Sequence, residues 1–239
     1  LCPPRVALRA RPHLAGDAAV RRAYIATMPV RAKICGLSTP ETIDASIAGG
    51  ASHIGFMFYT PSPRHLSFDR ASALAARVPD YVGRVGVFVD PDDALVDRAI
   101  AAAALTALQL HKTAPDRTAQ LKARTGLEIW SAVAILERAD LVSATHYSGA
   151  ADRILYDAKT PEGAALPGGM GVRFDWTLLS GHRHSLPWIL AGGLTADNVG
   201  DAVRITDADM VDASSGLESA PGIKDVDKIA AFLKALSHL

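Results

Sequence analysis

Val30-Arg31-Ala32-Lys33-Ile34-Cys35-Gly36-Leu37-Ser38-Thr39-Pro40-Glu41 passes from a short apolar strand, through a glycine turn, into a helix start. Ser or Thr satisfies free N–H groups at a helix N-terminus, and Pro suits the first turn. Working outward, the same unit recurs. Strands read at Val30 to Cys35, His53 to Phe58, Tyr81 to Val89, Ala107 to His111, Glu128 to Ala134, Arg153 to Asp157, Trp188 to Ala191 and Met210 to Ala213, eight in all. Between them stand further start signals: Ser67-Phe68-Asp69, Asp90-Pro91-Asp92-Asp93, Ala114-Pro115-Asp116 and Thr195-Ala196-Asp197. A parallel neighbour is reached only by a long crossover, so eight strand–helix units predict a closed α/β barrel, a single (β/α)8 TIM barrel. A doubly wound open sheet is the rival, but the first strand-to-helix turn lacks the G-x-G-x-x-G pattern of a dinucleotide site.

The length of 239 residues falls within the roughly 200–250 residues that one such barrel occupies. One domain over 29–239 is expected. Twenty-five basic residues balance 25 acidic ones, and 49% of the chain is hydrophobic. No strong field favours nucleic acid or membrane, and no apolar run reaches the roughly 18 residues of a membrane span. Only Cys2 and Cys35 carry thiols, too few for a disulfide framework. A reducing compartment follows, with the cytoplasm the expected location. Monomer and homodimer stay open.

Residues 1–28 differ from the rest: Arg5, Arg9, Arg11, Arg21 and Arg22 stand among alanines and prolines, with Asp17 the only acid. Organelle transit peptides share that composition with unstructured extensions. The expectation here is an unstructured extension, with Met28 an alternative start.

In a barrel of this kind the active site forms at the C-terminal ends of the strands. By that rule Cys35, Arg64, His111 and Asp157 gather on one rim with Gly192-Gly193 and Ser214-Ser215-Gly216. Cys35 and Asp157 are a candidate acid–base pair. Glycine lets backbone N–H groups approach an anion, and adjacent loops after strands 7 and 8 commonly grip phosphate. Gly192, Gly193, Ser214, Ser215 and Gly216 therefore read as a phosphate site, with Gly193-Leu194-Thr195 turning directly into a helix. Lys33 shares a strand face with Cys35. Its charge is expected to help supply thiolate. Asp212 is placed to pair with Lys33, as a structural ion pair or in a catalytic role. Each residue also has a plainer reading. A cysteine in an apolar strand is most often a small buried hydrophobe, and a loop arginine is usually solvated. A strand-ending aspartate often caps the next helix, yet Ala158-Lys159-Thr160-Pro161 and a glycine-rich stretch follow Asp157 instead.

Several motifs, taken in order and spacing, closely resemble the phosphoribosylanthranilate isomerase family. They are Lys33-Ile34-Cys35-Gly36, Pro61-Ser62-Pro63-Arg64, Leu108-Gln109-Leu110-His111, Leu155-Tyr156-Asp157-Ala158-Lys159, Phe174-Asp175-Trp176, Ala191-Gly192-Gly193-Leu194, Val211-Asp212-Ala213-Ser214-Ser215-Gly216 and Pro221-Gly222-Ile223-Lys224-Asp225. The likeness runs from about Arg31 to Leu236. It implies an Amadori rearrangement in tryptophan biosynthesis, with a phosphosugar substrate and neither metal nor organic cofactor. Asp157 then resembles the general acid that protonates the ribose ring oxygen, and Cys35 the base that takes the C2 proton. Asp157 would need a raised pKa to hold that proton near neutrality. The resemblance gives Arg64 to the anthranilate carboxylate, which a guanidinium fork fits. His111 matches a family histidine without a definite chemistry. Lys112 departs from the pattern, standing where the family usually has glycine.

His13, His182 and His184 lack metal-ligand spacing and read as surface histidines. Lys159 to Val172, with Gly163, Pro167, Gly168, Gly169 and Gly171, is long for a barrel loop and reads either as a lid over the anthranilate ring or as an inert insertion. Three alternatives differ from this reading at particular residues. A histidine-pathway aminoaldose isomerase would carry an aspartate at Cys35, and a pentulose-phosphate epimerase would place metal-binding histidines on strand ends. A non-catalytic phosphosugar-binding barrel would have no need of Cys35 and Asp157.

Overall fold

The computed structural model describes residues 30–160 and 171–239. The extension at 1–28 and most of the candidate lid, 161–170, lie outside the described residues. Eight parallel strands close into a barrel in sequence order, with β1 returning to β8. They are β1 (Arg31–Cys35), β2 (His53–Met57), β3 (Gly83–Val89), β4 (Ala107–His111), β5 (Glu128–Ile135), β6 (Arg153–Ala158), β7 (Trp188–Leu190) and β8 (Met210–Ala213). The expected barrel is the observed one, with strand ends shifted by a residue or two.

Side chains alternate across each strand, and both faces are buried, which is why the strands read as apolar runs. Val85, Ala107, Trp130, Leu155, Ile189, Ala191 and Met210 fill the interior. Ile34, Leu108, Ile154 and Val211 point outward into the shell beneath the helices. Burial of each large aliphatic contributes about 1.5–3 kcal/mol.

The crossover helices are α1 (Pro40–Ala48), α2 (Phe68–Ala75), α3 (Asp93–Ala103), α4 (Pro115–Thr125), α5 (Val199–Thr206) and α6 (Val226–Leu236). Thr39, Ser67 and Asp92 cap the first three, accepting from the backbone N–H of Thr42, Arg70 and Leu95 at 3.4, 3.2 and 2.7 Å. Each such cap is worth about 1 kcal/mol. An antiparallel pair, β9 (Glu218–Ala220) and β10 (Ile223–Lys224), leads into α6.

Three crossovers depart from the simple unit; between β6 and β7 the described residues form only a short 3₁₀ turn, Trp176–Leu178. After β5 the chain forms a 3₁₀ segment, Arg138–Tyr147, opened by reciprocal bonds between Glu137 and Asp140. After β7 the expected direct entry into a helix is corrected, because α5 starts only at Val199. The Asn198 side chain accepts from Thr195 N–H and donates to the Gly193 carbonyl, both at 2.9 Å. Those two bonds hold a turn in which the backbone is diverted from the helix.

Candidate active site

A cavity of about 760 Å³, counting its open mouth, lies at the C-terminal ends of the strands. Cys35, Arg64, His111, Asp157 and Asp212 line it, as do Gly192, Gly193, Ser214 and Ser215. Of the residues the sequence placed here, only Gly216 is not on the wall. A Cβ added there would lie 2.1 Å from the Leu194 carbonyl oxygen. Glycine at 216 is what lets the loop after β8 lie against the loop after β7.

The thiol sits over a buried ion pair. β1 and β8 are in register with Lys33 opposite Asp212, and Lys33 Nζ lies 2.9 Å from both carboxylate oxygens. On the other side Cys35 is opposite Gly55 of β2. A Cβ at Gly55 would meet Cys35 Sγ at 2.9 Å and Lys33 Cε at 3.0 Å, so the absent side chain makes room for both. Burial pushes the Cys35 thiol above its ordinary pKa, with Lys33 pulling it down and Asp212 adding to the rise. Lys33 thus acts in the expected direction without setting the net shift. Its charge is matched by Asp212, and desolvation prevails.

Asp157 ends β6 on the same cavity. Burial and the negative charge of Asp212 push its carboxyl up to about 7, against the pull of the Ala158 N–H and of Lys33. Half of such groups hold a proton at neutrality, the condition a general acid requires.

Arg64 is not a solvated loop cation. It is 4% exposed, and its fork meets Glu218 through Nε–H to Oε1 at 2.7 Å and Nη2–H to Oε2 at 2.8 Å. Glu218 also accepts from Lys224 Nζ and from the Gly222 N–H at 3.1 Å. Burial works to raise the Glu218 carboxyl, but bonds from Arg64 and Lys224 outweigh it and hold it low. Lys224 Nζ donates in turn to the Ser214 carbonyl at 3.1 Å, and Ser214 Oγ donates to the Cys35 carbonyl at 3.2 Å. Glu218 and Lys224 thus fasten the loop after β2 to the segment after β8. In the sequence Lys224 stands out only as part of a motif, and Glu218 does not stand out at all. A buried arginine demands a carboxylate, but no spacing rule says which.

His111 lines the cavity beside Gln109, whose amide Nε2 lies 2.9 Å from the ring Nε2. Burial, with Lys33 and Lys112, pushes the His111 pKa down to about 4, so the ring is neutral at pH 7. Lys112 takes the left-handed turn with φ 53°, a conformation that costs a non-glycine residue about 1–2 kcal/mol. His182 is half-buried, and His184 is not a plain surface residue. His184 stacks on Trp188 at 4.4 Å between ring centres and meets the Tyr156 hydroxyl at 3.2 Å. His13 lies outside the described residues.

A closed barrel with a thiol and a neutral-range carboxyl on one rim cavity defines the class: a (β/α)8-barrel enzyme. The family model of N-(5'phosphoribosyl)anthranilate (PRA) isomerase matches residues 32–235. An N-(5'-phosphoribosyl)anthranilate isomerase of Zymomonas mobilis subsp. pomaceae is 53% identical over 215 residues, 89% of this chain and 100% of the relative. That of Paramagnetospirillum magneticum is 49% identical over 209 residues, 87% of this chain and 97% of the relative. The crystal structure of the Thermotoga maritima phosphoribosylanthranilate isomerase superposes with a TM-score of 0.78 at 34% identity, covering 88% of this chain and 100% of that one. Another isomerase structure, in complex with reduced 1-(o-carboxyphenylamino)-1-deoxyribulose 5-phosphate, gives 0.76 at 32% identity, with 88% and 100% covered. The chain belongs to the phosphoribosylanthranilate isomerase family.

Proposed function

We propose that this protein converts N-(5-phosphoribosyl)anthranilate into 1-(2-carboxyphenylamino)-1-deoxyribulose 5-phosphate, an aldose–ketose isomerisation in tryptophan biosynthesis. The observation that carries the reading is a carboxyl with a pKa of about 7 and a buried thiol on the walls of one cavity. Asp157 gives its proton to the ribose ring oxygen as the C1–O bond breaks, leaving an iminium. That cation makes the C2 hydrogen acidic, and Cys35 removes it to form an enolamine, which tautomerises to the ketone. Backbone N–H groups at Gly192, Gly193, Ser214 and Ser215 take the phosphate, with Gly216 letting the two loops meet. Arg64, oriented by Glu218, faces the anthranilate carboxylate. Asp212 acts through its neighbours, fixing Lys33 and raising Asp157. Residues 29–239 form the catalytic barrel, 1–28 are an extension outside it, and a reaction on a small phosphosugar in the cytoplasm suits a chain with two cysteines.

The test is turnover of purified protein, followed as loss of phosphoribosylanthranilate fluorescence with the ketose product identified by mass. Conversion at an enzymic rate is expected. A correctly folded protein that leaves this aminoaldose unchanged would overturn the reading.

A further inference from the structure

Gln109 occupies β4 one inward step below His111, is 2% exposed, and lines the main cavity. Among the described residues four buried side-chain polar atoms have no hydrogen-bond partner in the protein. Three belong to Trp130, Ser131 and Trp176, none of which lines this cavity; the fourth is Gln109 Oε1. A buried amide oxygen without a donor is unfavourable, and a well-packed core would have replaced it with an apolar group. The other end of the same amide is engaged. Its Nε2 donates across 2.9 Å to the neutral ring of His111, so the opposite end of the amide is the unpaired one. An acceptor held this way, on the wall of a substrate cavity, is complementary to a ligand that brings an N–H or O–H.

We propose that Gln109 Oε1 accepts a hydrogen bond from the aminosugar substrate close to the reacting carbons, and that His111 is the positioning residue that sets the amide. This deepens the isomerase reading above and rests on it. Two donors share the required chemistry, the anilino N–H and a ribose hydroxyl. The anilino nitrogen gains positive charge as the iminium forms, so a bond to it strengthens towards the transition state and shows in kcat. A hydroxyl donor is held about equally before and during the reaction and shows in KM.

Gln109→Met removes the acceptor at similar volume. Parent and variant are compared for kcat and KM on phosphoribosylanthranilate, and for Tm. The expected result is a fall of about 10- to 100-fold in kcat/KM with little change in Tm, because loss of the bond to His111 is offset by loss of an unpaired buried oxygen. A fall carried by kcat assigns the anilino nitrogen, and one carried by KM assigns a hydroxyl. His111→Leu in the Gln109→Met background is expected to add little to the loss, since its effect runs through the amide. An unchanged kcat/KM overturns the proposal, and so does a loss of activity that tracks a lowered Tm. Failure of the parent protein to turn over the substrate would instead strike the functional reading.

Discussion

The Lys33 ammonium lies 2.9 Å from each carboxylate oxygen of Asp212, across the β1–β8 seam and directly beneath Cys35. Burial works against the ammonium, but Asp212 and Cys35 outweigh it and hold the Lys33 pKa above its ordinary value. Both charges are buried, so removing one strands the other. Lys33→Met is expected to lower the unfolding free energy by about 3–5 kcal/mol, measured by urea denaturation. A loss below about 1 kcal/mol would show that the pair behaves like a surface contact.

The order of the two functional pKa values fixes the shape of the pH–rate profile. In the proposed mechanism the competent form has Asp157 protonated and Cys35 ionised, yet the carboxyl titrates at about 7 and the thiol above its ordinary value. Below pH 7 the thiolate fraction grows tenfold per unit while Asp157 stays protonated, so kcat/KM rises. Above 7 the two changes cancel, giving a plateau that ends only when the thiol itself ionises. Steady-state kinetics from pH 5 to pH 10 should show the rising limb bending at about 7. A rate that falls through pH 7 would mean that Cys35 ionises before Asp157.

The same carboxyl makes stability depend on pH. Its folded pKa of about 7 exceeds the ordinary 3.8, so folding favours the protonated form. That contribution is complete below 3.8 and is lost as pH rises through about 7. Asp157→Asn should therefore be more stable than the parent at pH 8 by about 2–4 kcal/mol, discounted for the access Asp157 has to the cavity, and equal to it at pH 4. Thermal melts at the two pH values check this; equal stability at pH 8 would remove the raised pKa from the account.

Gly55 marks the space the thiol needs. Gly55→Ala places a methyl 2.9 Å from Cys35 Sγ and 3.0 Å from Lys33 Cε. The variant is expected to lose about 1–3 kcal/mol of stability, with kcat reduced more than KM because the thiol is displaced. Parental kcat in a folded variant would show that the thiol tolerates the shift.

Much of this was legible in the sequence, for stated reasons. Parallel strands buried on both faces leave apolar runs, and the strand-end rule carried Cys35, Asp157, His111 and Arg64 to one rim. What escaped depends on partners distant along the chain. Arg64 meets Glu218 across 154 positions, and the need for glycine at 55 appears only once register sets it beside Cys35. The delayed start of α5 reflects one side chain, Asn198, bonding backward into its own turn. The pKa of Asp157 arises from enclosure and from Asp212, a residue on another strand.

The proposed chemistry needs a thiol and a carboxyl acting on one sugar. The direct test is kcat on phosphoribosylanthranilate for Cys35→Ser and Asp157→Asn, each confirmed folded by circular dichroism. Both are predicted to lose at least about a hundredfold, the scale of a positioned proton-transfer group. Near-parental turnover in either variant would contradict the assignment of that residue.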